Sequence, residues 1–184
     1  EKGVECGVDG LICVNNRAGG HLGKDSMQVM YDSLFDLGLP LVCAGGVGSE
    51  KELIEALKIG YDGVQMGTRF IATEECSMPV GYKKAIVEAG EDDIDWTVKL
   101  TGVPVSVIKT PSYRRENSWL VRALLSGRFK HRIRWILNII SFRRWRKMSI
   151  GAKSSDIWSA GKSVETIKSV ESASSIMRGL GESL

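Results

Sequence analysis

The fold of this chain is decided by two stretches, Leu41-Val-Cys-Ala-Gly-Gly-Val-Gly48 and Gly63-Val-Gln-Met-Gly-Thr-Arg-Phe70. Each joins a short, almost wholly apolar run to a glycine-bearing turn. Such runs are typical of strands that are covered on both faces of a parallel sheet. Between them, Ser49 and Glu52 have the spacing of a helix N-terminal capping box, and Gly60 is placed to end that helix. The pattern therefore predicts a strand, a helix and a second strand.

A third unit of the same kind precedes these two. The run Asp9-Gly-Leu-Ile-Cys-Val14 predicts a buried strand, residues 15–23 a loop, and residues 24–37 a helix that Gly38 stops. Alternating strands and helices predict parallel, right-handed βαβ units. Because α/β folds bind ligands at the carboxyl ends of their strands, the loops after the three strands are predicted to form one site.

The turns after the second and third strands predict a phosphate site. A bound phosphate needs several backbone N–H donors and no Cβ atom in the way. Gly45, Gly46 and Gly67 allow such an approach, and Thr68 adds a hydroxyl donor. The helix that follows Gly48 adds a favourable dipole at its N-terminus.

Two further side chains in these loops have different predicted roles. His21 stands in a glycine-rich loop that leaves its ring accessible, and histidine transfers protons readily near neutral pH. We therefore predict that His21 is catalytic or polarises the substrate. Arg69 is expected to tie adjacent loops together through carboxylates such as Glu74 or Glu75, and the alternative is that it contacts the phosphate. The other histidine, His131, is expected to be solvated.

The rest of the sequence gives weaker signals, which come from short apolar runs and local composition. They predict a helix over residues 81–89, a solvated loop at residues 91–93, short strands at residues 97–100 and 105–108, a loop at residues 157–161, and one or two helices over residues 164–180 with interruptions at serines 172–175.

Composition indicates a globular protein with reduced thiols. Hydrophobic residues make up 43% of the chain, and no apolar run approaches the ~18 residues of a membrane span. Cys6, Cys13, Cys43 and Cys76 have no Cys-x-x-Cys spacing, so no metal site is predicted. Since Cys13 and Cys43 lie in strand-like runs, we expect reduced buried thiols and a cytoplasmic protein.

Length suggests that the chain is part of a larger protein. It has 184 residues and begins at Glu1 rather than Met, whereas a complete (β/α)8 barrel needs roughly 250 residues. We expect a C-terminal part whose N-terminal half is missing. The alternative is a small complete α/β domain.

The net charge of +3 conceals a strongly basic segment. Residues 114–147 contain eleven Lys and Arg against one Glu, a net +10, which leaves −7 for the remaining residues. Trp119, Trp135 and Trp145 interleave with these cations, which predicts basic amphipathic helices. We favour a helical hairpin that packs on the rest of the protein. The other hypotheses are docking on an anionic membrane and binding an acidic protein partner, and no nucleic-acid partner is predicted.

Three ordered motifs resemble the nitronate monooxygenase (2-nitropropane dioxygenase-like) family, which includes FMN-dependent enoyl-acyl-carrier-protein reductases. The first motif comprises Asp9-Gly-Leu-Ile and Ala18-Gly-Gly-His-Leu-Gly23, and the second is Pro40-Leu-Val-Cys-Ala-Gly-Gly-Val47. The third is Gly60-Tyr-Asp-Gly-Val-Gln-Met-Gly-Thr-Arg-Phe70. The resemblance is dense over residues 6–90 and returns at residues 158–161, although Lys162 stands where the family often has Gln.

This resemblance implies an α/β fold, namely the C-terminal part of a (β/α)8 TIM barrel with an inserted basic helical segment. It also implies that the cofactor is non-covalent FMN. The implied domains are residues 1–110 of the barrel, the insertion at 111–148, and residues 149–184 packing back on the barrel. By the family pattern, His21 contacts the substrate over the flavin. The implied cofactor-binding residues are Ala18, Gly19, Gly20, Ala44, Gly45, Gly46, Gln65, Met66, Gly67 and Thr68.

The activity that the resemblance implies is oxidation of an alkyl nitronate with O2 to a carbonyl compound and nitrite. The enzyme alternatives are an enoyl-acyl-carrier-protein reductase and an NADH:quinone reductase, with NAD(P)H or an acyl carrier protein as partner. The non-enzyme alternative is a degenerate barrel that docks on membranes through its basic helices.

Overall fold

The computed structural model describes residues 2–97, 103–110, 113 and 158–182. This part of the chain is an α/β structure with two small sheets. The strands are β1 (Leu11–Val14), β2 (Gly20–His21), β3 (Leu41–Ala44), β4 (Gly63–Gln65), β5 (Ile94–Thr97) and β6 (Val105–Ile108). The helices are α1 (Lys2–Glu5), α2 (Met27–Leu34), α3 (Glu50–Ile59), α4 (Thr68–Ile71), α5 (Val80–Glu88) and α6 (Ala173–Glu182). The 3₁₀ turns are Phe35–Leu37, Glu91–Asp93 and Lys162–Thr166.

The first sheet is parallel, with strand order β1-β3-β4. Cys13, Cys43 and Val64 lie side by side in its register, which confirms the three predicted strands; Cys13 and Cys43 are buried, whereas Val64 is half-buried. On the face that carries the two cysteines, the core continues into helices α2, α3 and α6. On the opposite face Ile12 is 60% exposed within the described part of the chain.

Local sequence signals set the ends of the helices: the stop at Gly38 and the cap at Ser49 are as predicted, whereas α2 starts at Met27 rather than at Lys24. Helix α2 begins after Ser26, whose Oγ accepts the Val29 N–H at 3.3 Å. The 3₁₀ turn that follows it ends at Gly38, which has φ 66°. At α3, Glu52 accepts the backbone N–H of Ser49 at 2.9 Å, which is the hydrogen bond from Glu52 expected in the predicted capping box. The Ser49 hydroxyl also donates to Glu52.

The second sheet is antiparallel, with strand order β2-β6-β5. It corrects two predictions. The predicted loop over residues 15–23 contains strand β2, in which His21 pairs with Val105. Strand β5 begins at Ile94, before the predicted start at Thr97, and residues 98–100 of that prediction lie outside the described residues. Strand β2 was missed because it pairs with β6, which is distant in sequence, and a local pattern does not show such pairing.

Two shorter segments also differ from prediction. The stretch after β4, predicted as a loop, forms one helical turn, α4. Residues 172–175, a serine-rich stretch predicted to interrupt a helix, instead form the start of α6, where the Oγ of Ser172 accepts the Ser175 N–H at 3.1 Å. Serine favours a helix N-terminus and disfavours its interior for the same reason, its competing side-chain hydrogen bond.

The basic segment, residues 114–147, lies outside the described residues, and Tyr113 is the one described residue of the predicted insertion over residues 111–148. The hypotheses for that segment therefore stay predictions. Among the helices that the structure describes, none is long and apolar enough to cross a membrane.

The cysteines provide a test of the parallel sheet. Cys13 and Cys43 are buried, and burial raises the pKa of the Cys43 thiol to about 11, whereas Cys6 is exposed. At pH 8 we expect a thiol reagent to label Cys6 rapidly and to leave Cys13 and Cys43 unlabelled until the protein is unfolded. Peptide mass spectrometry identifies each labelled thiol. Rapid native labelling of Cys43 would contradict this sheet.

Candidate active site

Three loops meet at the carboxyl ends of β1, β3 and β4. They are loop 1 (residues 15–19), loop 2 (residues 45–48) and loop 3 (residues 66–68). Because the strands are parallel and adjacent, these loops lie side by side. The predicted site residues therefore come from neighbouring loops, as the sequence implied.

Asn15 joins loop 1 to loop 2. Its fully buried side chain donates from Nδ2 to the carbonyl oxygen of Gly45 at 2.9 Å. Its Oδ1 accepts the backbone N–H of Arg17 at 2.8 Å. Asn15 is not among the predicted site residues, although a polar residue directly after an apolar strand is a recognisable signal.

Gly45 and Gly46 are required by the packing of the loops. Their φ angles are 116° and 76°, in the region that favours glycine. A Cβ on Gly45 would lie 2.5 Å from Oδ1 of Asn15, and one on Gly46 would lie 2.8 Å from the side chain of Arg17. The packing of the loops thus requires glycine at these two positions whether or not a phosphate binds there.

Gly67 stands in a different environment. It is exposed, and a Cβ placed on it would meet no other described atom within 4 Å. Next to it, the buried Thr68 accepts the Gly161 N–H at 3.0 Å through Oγ1, which leaves the hydroxyl proton available for another acceptor. Loop 3 therefore leaves open space at Gly67, next to the hydroxyl proton of Thr68. This open space is called the cradle.

A clamp formed by residues 158–167 fastens the three loops. Its Gly161 packs against Gly19, since a Cβ on either glycine would lie within 2.8 Å of the other's backbone nitrogen. Its Lys162 donates its backbone N–H to the carbonyl oxygen of Arg17 at 2.9 Å. Its Thr166 donates from Oγ1 to Glu52, beside loop 2, at 3.3 Å. The clamp thus contacts loop 1, loop 3, the start of α3 and also loop 2, where a Cβ on Gly48 would lie 2.7 Å from Oγ1 of Thr166.

Apolar packing holds the clamp in place. Trp158 stacks on Tyr82 of α5, with ring centroids 5.4 Å apart and planes 17° from parallel. The Tyr82 hydroxyl donates to the carbonyl oxygen of Ser159, and burial raises the pKa of Tyr82 to about 12. Val164 and Ile167 are fully buried in the same cluster.

His21 lies beside this clamp, on the two-residue strand β2. The Gly20 N–H donates to Oγ of Ser159 at 3.0 Å, and that hydroxyl donates to the carbonyl oxygen of Ser106 at 3.0 Å. The Ser159 hydroxyl thereby bridges β2 and β6. The backbone of His21 is fixed by this bridge and by pairing with Val105, while the residue itself is exposed.

The other predicted cofactor-binding residues differ in accessibility. Gly19 and Gln65 are exposed, Gly20 and Met66 are half-buried, and Ala18 and Ala44 are buried. For Ala18 and Ala44, therefore, only the backbone atoms are suited to contact a ligand. The set is brought to one end of the parallel sheet, as the sequence predicted.

Arg69 ties segments together, but through a different partner from those predicted. It is 4% exposed, and its Nη2 donates to the carbonyl oxygen of Ser169 at 3.0 Å and lies 3.4 Å from Glu171. Burial lowers the pKa of Arg69, and the charge of Glu171 opposes this shift. Glu75 instead accepts the Ala173 N–H at the start of α6 at 2.9 Å.

An ion cluster at Glu91 was not predicted. Glu91 receives a two-pronged contact from Arg17, at 3.2 and 3.1 Å, and a contact from Lys162 at 2.8 Å. The hydrogen bond from Lys162, together with the charge of Arg17, lowers the pKa of Glu91. Residues 91–93, predicted to be a solvated loop, are thus a junction between loop 1 and the clamp.

Taken together, the parallel strands and the loops gathered at their carboxyl ends define an α/β protein whose candidate ligand site lies at the strand ends. The chain belongs to the nitronate monooxygenase family, whose profile matches residues 2–180. The resemblance stated from the three sequence motifs is confirmed.

Two curated relatives illustrate this membership. A "(3aS,4S,5R,7aS)-5-hydroxy-7a-methyl-1-oxo-octahydro-1H-indene-4-carboxyl-CoA dehydrogenase" from Mycobacterium tuberculosis is 32% identical over 78% of this chain and 39% of its own length. A "probable nitronate monooxygenase" from Staphylococcus saprophyticus is 30% identical over 61% of this chain and 35% of its own length. The chain therefore spans well under half the length of these relatives.

A solved structure supports the fold. FabK from Thermotoga maritima superimposes with a TM-score of 0.72 and 25% identity, over 99% of this chain and 56% of that protein. The α/β architecture of the chain is thus similar to that of FabK.

The Gly19–Gly161 contact can be tested by substitution. Gly161→Ala would place a Cβ 2.6 Å from the Gly19 nitrogen, so we expect the free energy of unfolding to fall by about 1–3 kcal/mol. Gly181→Ala in α6 is the matched control, since its Cβ would meet no described atom within 4 Å. It should leave stability unchanged or slightly higher. Equal denaturation midpoints for both variants would contradict the close approach.

Proposed function

We propose that this chain is the C-terminal part of an FMN-dependent (β/α)8-barrel oxidoreductase that oxidises alkyl nitronates with O2 to a carbonyl compound and nitrite. The observation that carries the proposal is the open cradle at Gly67, next to the hydroxyl of Thr68. It lies at the strand ends of a chain that belongs to the nitronate monooxygenase family.

The barrel is supported by the exposed face of the parallel sheet. Cys13 and Cys43 face the helices, whereas Ile12 and Val14, on the other face, are 60% and 37% exposed. In a barrel that face points inward, where apolar side chains from the other strands cover it. In this proposal β1, β3 and β4 are the sixth, seventh and eighth strands, and the domain boundaries are those inferred from the sequence.

The loop residues fit the phosphate of FMN. Gly67 provides access without a Cβ, Thr68 provides a hydroxyl proton, and backbone N–H groups of loops 2 and 3 supply further donors. Bound FMN supplies the redox chemistry of such an enzyme, and the protein supplies orientation and electrostatics. The role of the clamp is to hold these loops at fixed separation.

His21 is proposed as the catalytic residue. Its backbone is held by β6 and by the Ser159 bridge, so its position does not depend on a mobile loop. Its exposure within the described part of the chain leaves the imidazole accessible to a substrate. An imidazole at this place accepts or donates a proton during oxidation of the substrate.

A second candidate function is oxidoreduction of an acyl thioester, including enoyl-acyl-carrier-protein reduction with NAD(P)H. The observation in its favour is that the Mycobacterium relative, whose match covers 78% of this chain, is named as a carboxyl-CoA dehydrogenase. The same cradle and the same histidine serve either substrate class, so a measurement of the electron donor distinguishes them.

The decisive experiment is anaerobic visible spectroscopy of the whole protein that contains this chain. Flavin bands that are bleached by an alkyl nitronate and not by NADH support the nitronate monooxygenase. Bleaching by NADH favours the thioester or quinone reductase, and bleaching by a CoA thioester favours a dehydrogenase. A purified protein without flavin that binds anionic vesicles would favour a docking module and overturn the proposal.

Two variants separate cofactor binding from catalysis. Gly67→Val places a branched side chain in the cradle, so we expect less than about a tenth of the FMN to be retained. His21→Ala should retain stoichiometric FMN and lower turnover by about 100-fold or more, the usual contribution of a positioned acid or base. Flavin absorbance per mole of protein and steady-state turnover are the measurements. Full FMN content in Gly67→Val would contradict this phosphate site, and full turnover of His21→Ala would contradict the catalytic role.

A further inference from the structure

Glu91 connects three separate parts of the chain at the edge of the candidate site. It lies in the 3₁₀ turn Glu91–Asp93, while its two cationic partners come from loop 1 and from the clamp. Arg17 contacts both carboxylate oxygens, and Lys162 contacts Oε1 at 2.8 Å. A two-pronged arginine–carboxylate contact restricts orientation as well as distance.

The backbone around this ion cluster is joined at the same place. Lys162 donates its backbone N–H to the carbonyl oxygen of Arg17, so the two cations belong to segments that already touch. Glu91 in turn donates its backbone N–H to Glu165 of the clamp at 2.9 Å. Glu91 is therefore fastened to the clamp through both its main chain and its side chain.

The position of Arg17 is linked to that of His21 by a short, constrained segment. Ala18 is buried, Gly19 packs against Gly161, and Gly20 is held by Ser159. The clamp that fixes Gly19 and Gly20 beside His21 is therefore the segment to which Glu91 fastens Arg17. The side chain of Arg17 also packs over Gly46, which extends the connection to loop 2.

We propose that Glu91 is a positioning residue for His21, acting through Arg17 and Lys162 to hold loop 1 against the clamp. Glu91 does not touch the substrate. The inference rests on the proposed catalytic role of His21, but the contact network exists independently of that role. Lys162 stands where the family often has Gln, and the cation there completes the cluster in this chain.

The test is Glu91→Gln in the whole protein, because glutamine keeps the shape of the side chain and removes its charge. We expect kcat to fall about tenfold with the substrate KM and the FMN content unchanged, since a small displacement of a catalytic group lowers kcat far more than binding. Glu88→Gln is the matched control. Glu88 makes an exposed ion pair with Lys84 at 3.6 Å, and its replacement should leave kcat and KM unchanged.

A spectroscopic readout separates positioning from stability. The imidazole resonances of His21 are assigned in NMR spectra by comparison with His21→Gln. Glu91→Gln should change the chemical shifts of His21, and Glu88→Gln should not. A lower melting temperature with unchanged His21 resonances would overturn the proposal, as would unchanged kcat.

A second variant guards against loss of folding in the first. Arg17→Gln should lower kcat to a similar extent, and the double variant with Glu91→Gln should be about as active as either single variant, because both remove the same contact. Losses that multiply would overturn the proposal. If the parent protein shows no flavin turnover while Glu91→Gln still shifts the His21 resonances, the proposed function fails and the positioning role stands.

Discussion

The arrangement of the whole site depends on the contact of Gly161 with Gly19 and Thr68. Two backbones approach so closely that a Cβ on either glycine would overlap the other chain, and the Gly161 N–H reaches a side chain 93 residues earlier. Interiors packed at this density transmit displacement rather than absorb it. The clamp is also fixed by the stack of Trp158 on Tyr82. It therefore holds the loops that carry the predicted site at a fixed distance from one another.

The local elements of this fold could be predicted, whereas the contacts between them could not. Patterns within a few residues predict the strands β1, β3 and β4, the cap at Ser49 and the stop at Gly38. Strand β2 and the junction at Glu91 depend on partners more than 70 residues away in sequence. No local propensity marks such a residue, since a solvated acidic turn and an ion-paired one have the same composition.

The glycines of the site illustrate the same limit at finer scale. Sequence suggested one reason for all of them, close approach of a phosphate. The structure separates them into two kinds: Gly45 and Gly46 are crowded by Asn15 and Arg17, while Gly67 is open. A glycine pair after a strand is therefore weak support for a ligand when the neighbouring loop fills the space. An open glycine beside a hydroxyl that has a proton to donate is the stronger indicator.

This separation also bears on how a phosphate would be neutralised. Arg17 and Lys162 are the cations that the described residues bring to the clamp beside the loops, and both are already paired with Glu91. The guanidinium of Arg69 is buried against Glu171 and backbone carbonyl oxygens. Because Arg17 and Lys162 are paired with Glu91 and Arg69 is buried, an FMN phosphate held by these loops would rely on backbone N–H groups and the hydroxyl of Thr68. Such groups are fixed by the fold, so recognition depends on the loop geometry that the clamp maintains rather than on a flexible charged side chain.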